Sequence, residues 1–100
     1  MRGVRGPGYR AMNDKPFDLY EPTRDQRAAI ADARERVARL TPREREILAL
    51  VVRGYSNKKS GKHLGISDRT VEAHRLHIGA KMEITGMANL IRTALLAGVM

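Results

Sequence analysis

From residue 23 onward, apolar side chains return every three or four positions, and each such stretch is bounded by residues that start or stop helices. In TRDQRAAIADARERVARL, residues 23–40, the row is Ile30, Ala33, Val37 and Leu40. Thr23 and Gln26 form a capping box, each side chain satisfying an amide that the first turn would leave unpaired. The spacing predicts one amphipathic linker helix here. Thr41, Pro42 and Glu44 make a stronger start: a threonine N-cap, a proline where no N–H is needed, and a glutamate closing a second box. The helix they open runs to about residue 53, with Ile47, Leu48, Leu50, Val51 and Val52 over a wide arc. An arc that broad needs more than one neighbour, and Gly54 ends it. Ser56 caps a short helix to about Leu64, Ser67 a longer one to about Glu83, and Thr85 a last one that Gly98 ends. No period-two alternation competes, so the fold class is all-α.

Residues 54–82, GYSNKKSGKHLGISDRTVEAHRLHIGAKM, contain the break Leu64-Gly65-Ile66-Ser67 between two polar helical stretches. That is the layout of a helix-turn-helix. Gly65 tolerates the left-handed turn, Ile66 plugs the angle between the helices, and Ser67 accepts an amide of the next first turn. On the wheel of residues 67–83, Val71, Ile78 and Met82, flanked by His74, face the helix that begins at Pro42. Arg69, Glu72, Ala73, Leu76, His77 and Ala80 face away, and this second face suits a DNA groove. Ala73 and Leu76 can meet thymine methyls, Glu72 can accept from cytosine N4, and His77 or Arg75 can reach guanine or a phosphate.

Charge strengthens that reading. The chain carries a formal net charge of +8 on 100 residues, and Arg53, Lys58, Lys59 and Lys62 lead into the turn with no acid among them. A length of 100 residues supports one domain, and with no cysteine neither disulfides nor thiolate metal sites hold it. No apolar run is long enough to span a bilayer and residues 1–25 lack a signal-peptide core, so the cytoplasm is the expected location. Residues 1–22 hold three of the four prolines with no sustained period and are expected to be disordered. Their Arg2, Arg5 and Arg10 also suit a basic arm on a DNA backbone.

With capping and turn in place, residues 40–98 resemble the LuxR-type DNA-binding domain, in its FixJ/NarL branch. The resemblance rests on Leu40-Thr41-Pro42-Arg43-Glu44, Asn57-Lys58, Leu64-Gly65-Ile66-Ser67, Arg69-Thr70-Val71, His74, Ile78 and Lys81. It implies a four-helix domain over 41–100 that binds double-stranded DNA as a homodimer, its third helix in the major groove and its fourth at the dimer interface. It implies base contacts from Glu72, Ala73, Arg75, Leu76 and His77, and backbone contacts from Lys58, Lys59, Ser67, Arg69, Thr70 and Lys81. Members usually follow a receiver or autoinducer-binding domain. Neither is visible in these 100 residues, so a stand-alone member is expected.

Two places depart from the family pattern. Ser60-Gly61 stands where Ile-Ala is usual, and Gly79 interrupts the reading helix. Losing a buried aliphatic side chain removes ~1–3 kcal/mol and an interior glycine about 1 kcal/mol relative to alanine. Ser60→Ile with Gly61→Ala is therefore expected to raise the melting temperature.

In the last helix, Met87, Leu90, Ile91, Ala94 and Gly98 lie on one face and are expected to seal the core. Leu95, Leu96 and Val99, with Arg92 beside them, lie off it and suit a dimer interface, unless the 23–40 helix folds back over them. His74 and His77 lack a third ligand, so no metal is expected, and no nucleophile-base order or phosphate loop points to an enzyme, a cofactor or a small-molecule ligand. Two other readings fit parts of the chain. One is a sigma-factor region 4-like domain, which shares the opening from Leu40 to Ile47; the other is an interaction module that sequesters a regulatory protein, favoured by Glu72 and Ser60-Gly61.

Overall fold

A computed structural model describes residues 21–100; the expectations for residues 1–20 lie outside it. It contains α1 (Arg24–Val37), α2 (Pro42–Val52), α3 (Asn57–Leu64), α4 (Asp68–Met82) and α5 (Met87–Leu96). Four of the five start as the sequence predicts. Thr23 Oγ1 accepts from the Gln26 amide at 3.1 Å and Thr41 Oγ1 from the Glu44 amide at 3.1 Å, with both reciprocal bonds at 2.8 Å. Ser56 Oγ accepts from the Lys59 amide at 3.0 Å and Ser67 Oγ from the Thr70 amide at 3.1 Å.

The start of α5 is a correction. Thr85 is not its cap; Gly86 is, at φ +93° and with no side-chain hydrogen bond. The chain enters α5 through a left-handed conformation that a β-branched threonine resists. The Thr85 carbonyl instead accepts from Asn89 Nδ2 at 3.1 Å.

The core joins Ile47, Leu48 and Val51 of α2 to Val71, Ile78 and Met82 of α4 and to Leu90 and Ala94 of α5, with Leu40 beside them. α4 therefore packs on α2 along the face that its wheel predicts. α1 lies against α5 and the end of α4, burying Ala33 and tucking Val37 against the core. Glu44 is buried at the foot of α2, where Lys81 Nζ donates to its Oε1 at 2.9 Å. Burial pushes this carboxyl up, but the Thr41 amide and Lys81 outweigh it and hold the group below its usual range. Its contribution to stability is present at neutral pH and is lost as pH falls through that lowered pKa.

Further expectations are overturned. Met87 is 44% exposed, because as the first residue of α5 it points toward α4 and away from the core. Val99 packs against the core and Gly98 is exposed, because the helix stops at Leu96 and the chain turns through Gly98 at φ +87°. A wheel continued past Leu96 therefore puts both on the wrong side. In α3, Ser60 is fully buried, and its hydroxyl has no hydrogen-bond partner among the described residues. A Cβ on Gly61 would lie 2.5 Å from the Ile66 carbonyl oxygen, with Ser67 C and Asp68 N at 3.2 and 3.3 Å. The turn rests on the α3 backbone itself, so alanine at 61 does not stabilise this packing.

Candidate nucleic-acid interface

The turn between α3 and α4 is built from its own residues. Gly65 closes α3 at φ +74°, ψ +32°, and the Ile66 amide donates back to the Gly61 carbonyl at 2.9 Å. Ile66 is half-buried against the core, and Ser67 Oγ bonds Thr70 Oγ1 at 2.8 Å as well as its amide. With Val71, Ile78 and Met82 held inward, the opposite side of α4 is fixed outward. Arg69, Glu72, Ala73, Leu76, His77 and Ala80 are all exposed, Leu76 to 70%. A leucine so exposed between polar neighbours contributes nothing to the core, and an apolar contact outside the monomer gives it a use.

Beside this row lies a basic surface. Lys58, Lys59 and Lys62 are exposed on α3, which carries no acid, and none of them nor Arg69 forms an ion pair with another described residue. Lys59 Nζ sits 4.4 Å from the Tyr55 ring centre, and Tyr55 meets His63 edge to face at 5.9 Å. Cation–π contact orients the ammonium without neutralising it.

Two of the residues singled out are differently placed. Arg75 is half-buried, with Nη1 donating to Asn57 Oδ1 of α3 and Nη2 lying 3.6 Å from Met87 Sδ. Its guanidinium spans the starts of α3 and α5 across a groove of about 740 Å³ lined also by Glu72, Leu76, Ile84 and Leu90. Lys81 is spent on Glu44 at the inner edge of α4. The wheel of α4 alone could show neither pairing, since each partner lies on another helix. On α5, Arg92 and Leu95 are exposed, the latter to 51%, while Leu96, 41% exposed, shares an apolar crevice with Ile30 of α1. Among the described residues no group of three or more His, Cys, Asp or Glu is placed to hold a metal, and no helix is long and apolar enough to cross a membrane.

A short capped helix, a glycine turn and a longer helix with one polar face outward define a helix-turn-helix domain. The profile of bacterial regulatory proteins of the luxR family (GerE) matches residues 38–94, and the chain belongs to that family. It is 34% identical over 90 residues to the transcriptional regulatory protein FixJ of Bradyrhizobium diazoefficiens, covering 90% of this chain and 44% of that protein. It is 52% identical over 60 residues to the transcriptional regulatory protein MctR of Rhizobium johnstonii, covering 60% of this chain and 28% of that protein. The crystal structure of full-length FixJ from B. japonicum superposes with a TM-score of 0.70 at 34% identity, covering 84% of this chain and 41% of that one. The chain is thus a FixJ-type transcriptional regulator helix-turn-helix domain, and it spans less than half the length of these relatives.

Proposed function

We propose that this domain binds double-stranded DNA sequence-specifically, with α4 in the major groove and α3 against the phosphate backbone. The observation that carries this is the outward row of α4, with Leu76 70% exposed, beside the acid-free basic face of α3. Glu72, Ala73, Leu76 and His77 read bases in this arrangement. Lys58, Lys59, Arg69 and Thr70 hold the backbone, together with the α4 amides that Ser67 leaves open. Arg75, braced by Asn57, borders the same surface, and Lys81 contributes if a phosphate replaces Glu44 as its partner. Two copies meet through the shallow apolar patch of Ala88, Ile91, Arg92, Leu95 and Leu96 on α5, without Val99. An isologous pair then asks for a near-palindrome with half-sites about ten base pairs apart. The reading includes no catalytic step, and it places the domain with the chromosome in the bacterial cytoplasm.

If each subunit neutralises three or four phosphates, log K against log salt has a slope of roughly −5 to −7 for a dimer. Fluorescence anisotropy on a random duplex measures it. Lys58→Ala with Lys59→Ala flattens the slope and weakens all duplexes alike, whereas His77→Ala shifts preference among sites. A slope near zero in the unmodified chain would falsify the reading. It would favour an interaction module that sequesters a regulatory protein, for which the exposed Glu72 on the same face is the specific support.

A further inference from the structure

The last turn of a helix leaves carbonyls without amide partners and gathers the negative end of its dipole. At the end of α4, these carbonyls are met by two guanidiniums, that of Arg36 in the last turn of α1 and that of Arg39 in the turn just after it. Arg36 Nη1 donates to the Met82 carbonyl and lies 3.4 Å from that of Glu83, and Arg39 Nη1 donates to the Lys81 carbonyl at 2.9 Å. Both arginines are themselves aimed. Asp32 Oδ2 accepts from Arg36 Nε at 2.8 Å, Glu35 Oε1 accepts from Arg39 Nη2 at 2.8 Å, and Glu83 Oε2 lies 3.5 Å from Arg39 Nη1. Glu83, at φ +57°, fixes the chain just where these contacts converge. The family profile begins at residue 38, so α1 and Arg36 fall outside it.

We propose that α1 is a working part of the DNA-reading unit, with Arg36 and Arg39 as positioning residues that hold the carboxyl end of α4. The proposal rests on the DNA-binding reading above. α4 has 15 residues, which makes it about 22 Å long, and a tilt of about 10° moves one end relative to the other by about 4 Å. At Leu76 and His77, just past the middle of α4, the same tilt is a shift of about 2 Å, more than half the rise of roughly 3.4 Å between base pairs, so loss of the clamp misaligns them with the bases they face. Phosphate contacts from α3 are spared, because nothing in the clamp touches them.

Arg36→Met with Arg39→Met keeps the aliphatic stems and removes every donor. The full chain is titrated with a random duplex and with the duplex that the unmodified chain selects from a random pool. Both titrations are run at a temperature where circular dichroism shows the variant folded. The selected duplex loses about tenfold in affinity, the size of one misread base pair, while the random duplex and the salt slope stay as they were. Arg36→Lys with Arg39→Lys recovers part of the loss, because an ammonium still donates to a carbonyl. Unchanged affinity for the selected duplex overturns the proposal, as does an equal loss on both duplexes that tracks the folded fraction. A flatter salt slope overturns it too, since the arginines would then be phosphate ligands. If the unmodified chain binds neither duplex, the DNA-binding reading has failed first, and the clamp's role in it falls too.

Discussion

The two helices of the helix-turn-helix share one turn and bury different things. α4 is held by side chains: Val71, Ile78 and Met82 are fully enclosed, and the stripe they form fixes which residues look outward. α3 is held mainly by backbone, with Leu64 its one apolar side chain packed against the core. Its buried positions are Ser60 and Gly61, and the carbonyl of Ile66 rests where a side chain at 61 would be. A helix seated by side chains tolerates change on its open flank, whereas one seated by close backbone approach does not tolerate an added methyl at the contact. Both helices carry a glycine that propensity alone marks as a weakness, and the packing gives the two opposite meanings.

The largest effect expected from this contrast is at Gly61. Alanine there gains the usual helix preference but needs the turn to move off an oxygen 2.5 Å away, and overpacking of this kind costs about 1–3 kcal/mol. Gly61→Ala therefore lowers the melting temperature in a thermal scan followed by circular dichroism. A rise would show that the turn yields freely, and the contrast between α3 and α4 would collapse. Ser60→Ile combined with Gly61→Ala inherits the same clash, so the pair of family residues does not stabilise this chain.

Ser60 comes next and has the opposite sign. Its hydroxyl is buried without a partner among the described residues, and an unmade hydrogen bond of this kind costs about 1–3 kcal/mol. Ser60→Ala removes the hydroxyl with little change of volume and raises helix propensity, so chemical denaturation should show a gain of about 1 kcal/mol. A loss instead would mean that the hydroxyl is satisfied in solution, and α3 would then be held by a polar contact as well as by backbone.

What the sequence discloses here depends on how local the physics is. Thr23, Thr41, Ser56 and Ser67 mark their helix starts because a cap is made within three residues, and the α4 wheel is reliable because Val71, Ile78 and Met82 repeat within one unbroken helix. Thr85 misleads for the same reason. It is a capping residue beside a glycine, and the positive φ that hands the cap to Gly86 is imposed by the path from α4 into α5. Val99 is misplaced because a wheel assumes a helix that has already ended. The ties that shape the candidate site lie beyond any periodic signal: Arg75 to Asn57, Lys81 to Glu44, and Arg36 and Arg39 to the end of α4. Each joins side chains or carbonyls on different helices, and a polar residue on a helix surface looks the same in sequence whether it faces water or a partner.

The smallest effect tests the other half of the comparison, at Gly79. This glycine sits within α4, half-buried on the side that borders the groove toward α5, and a Cβ there would meet the Ile84 carbonyl oxygen at 3.4 Å. That is an ordinary van der Waals distance, so the methyl enters without displacing the backbone. Replacing an interior glycine by alanine removes unfolded-chain entropy and gains up to about 1 kcal/mol. Over a domain of this size, such a gain raises the melting temperature by roughly 4–8 °C. Gly79→Ala should therefore stabilise while Gly61→Ala destabilises, though the substitution is chemically identical. Anisotropy against the selected duplex should be unchanged, because Leu76 and His77 keep their outward direction. If Gly79→Ala also destabilises, then α4 relies on close backbone approach near Ile84 as α3 does near Ile66, and the distinction drawn between the two helices fails at its weaker end.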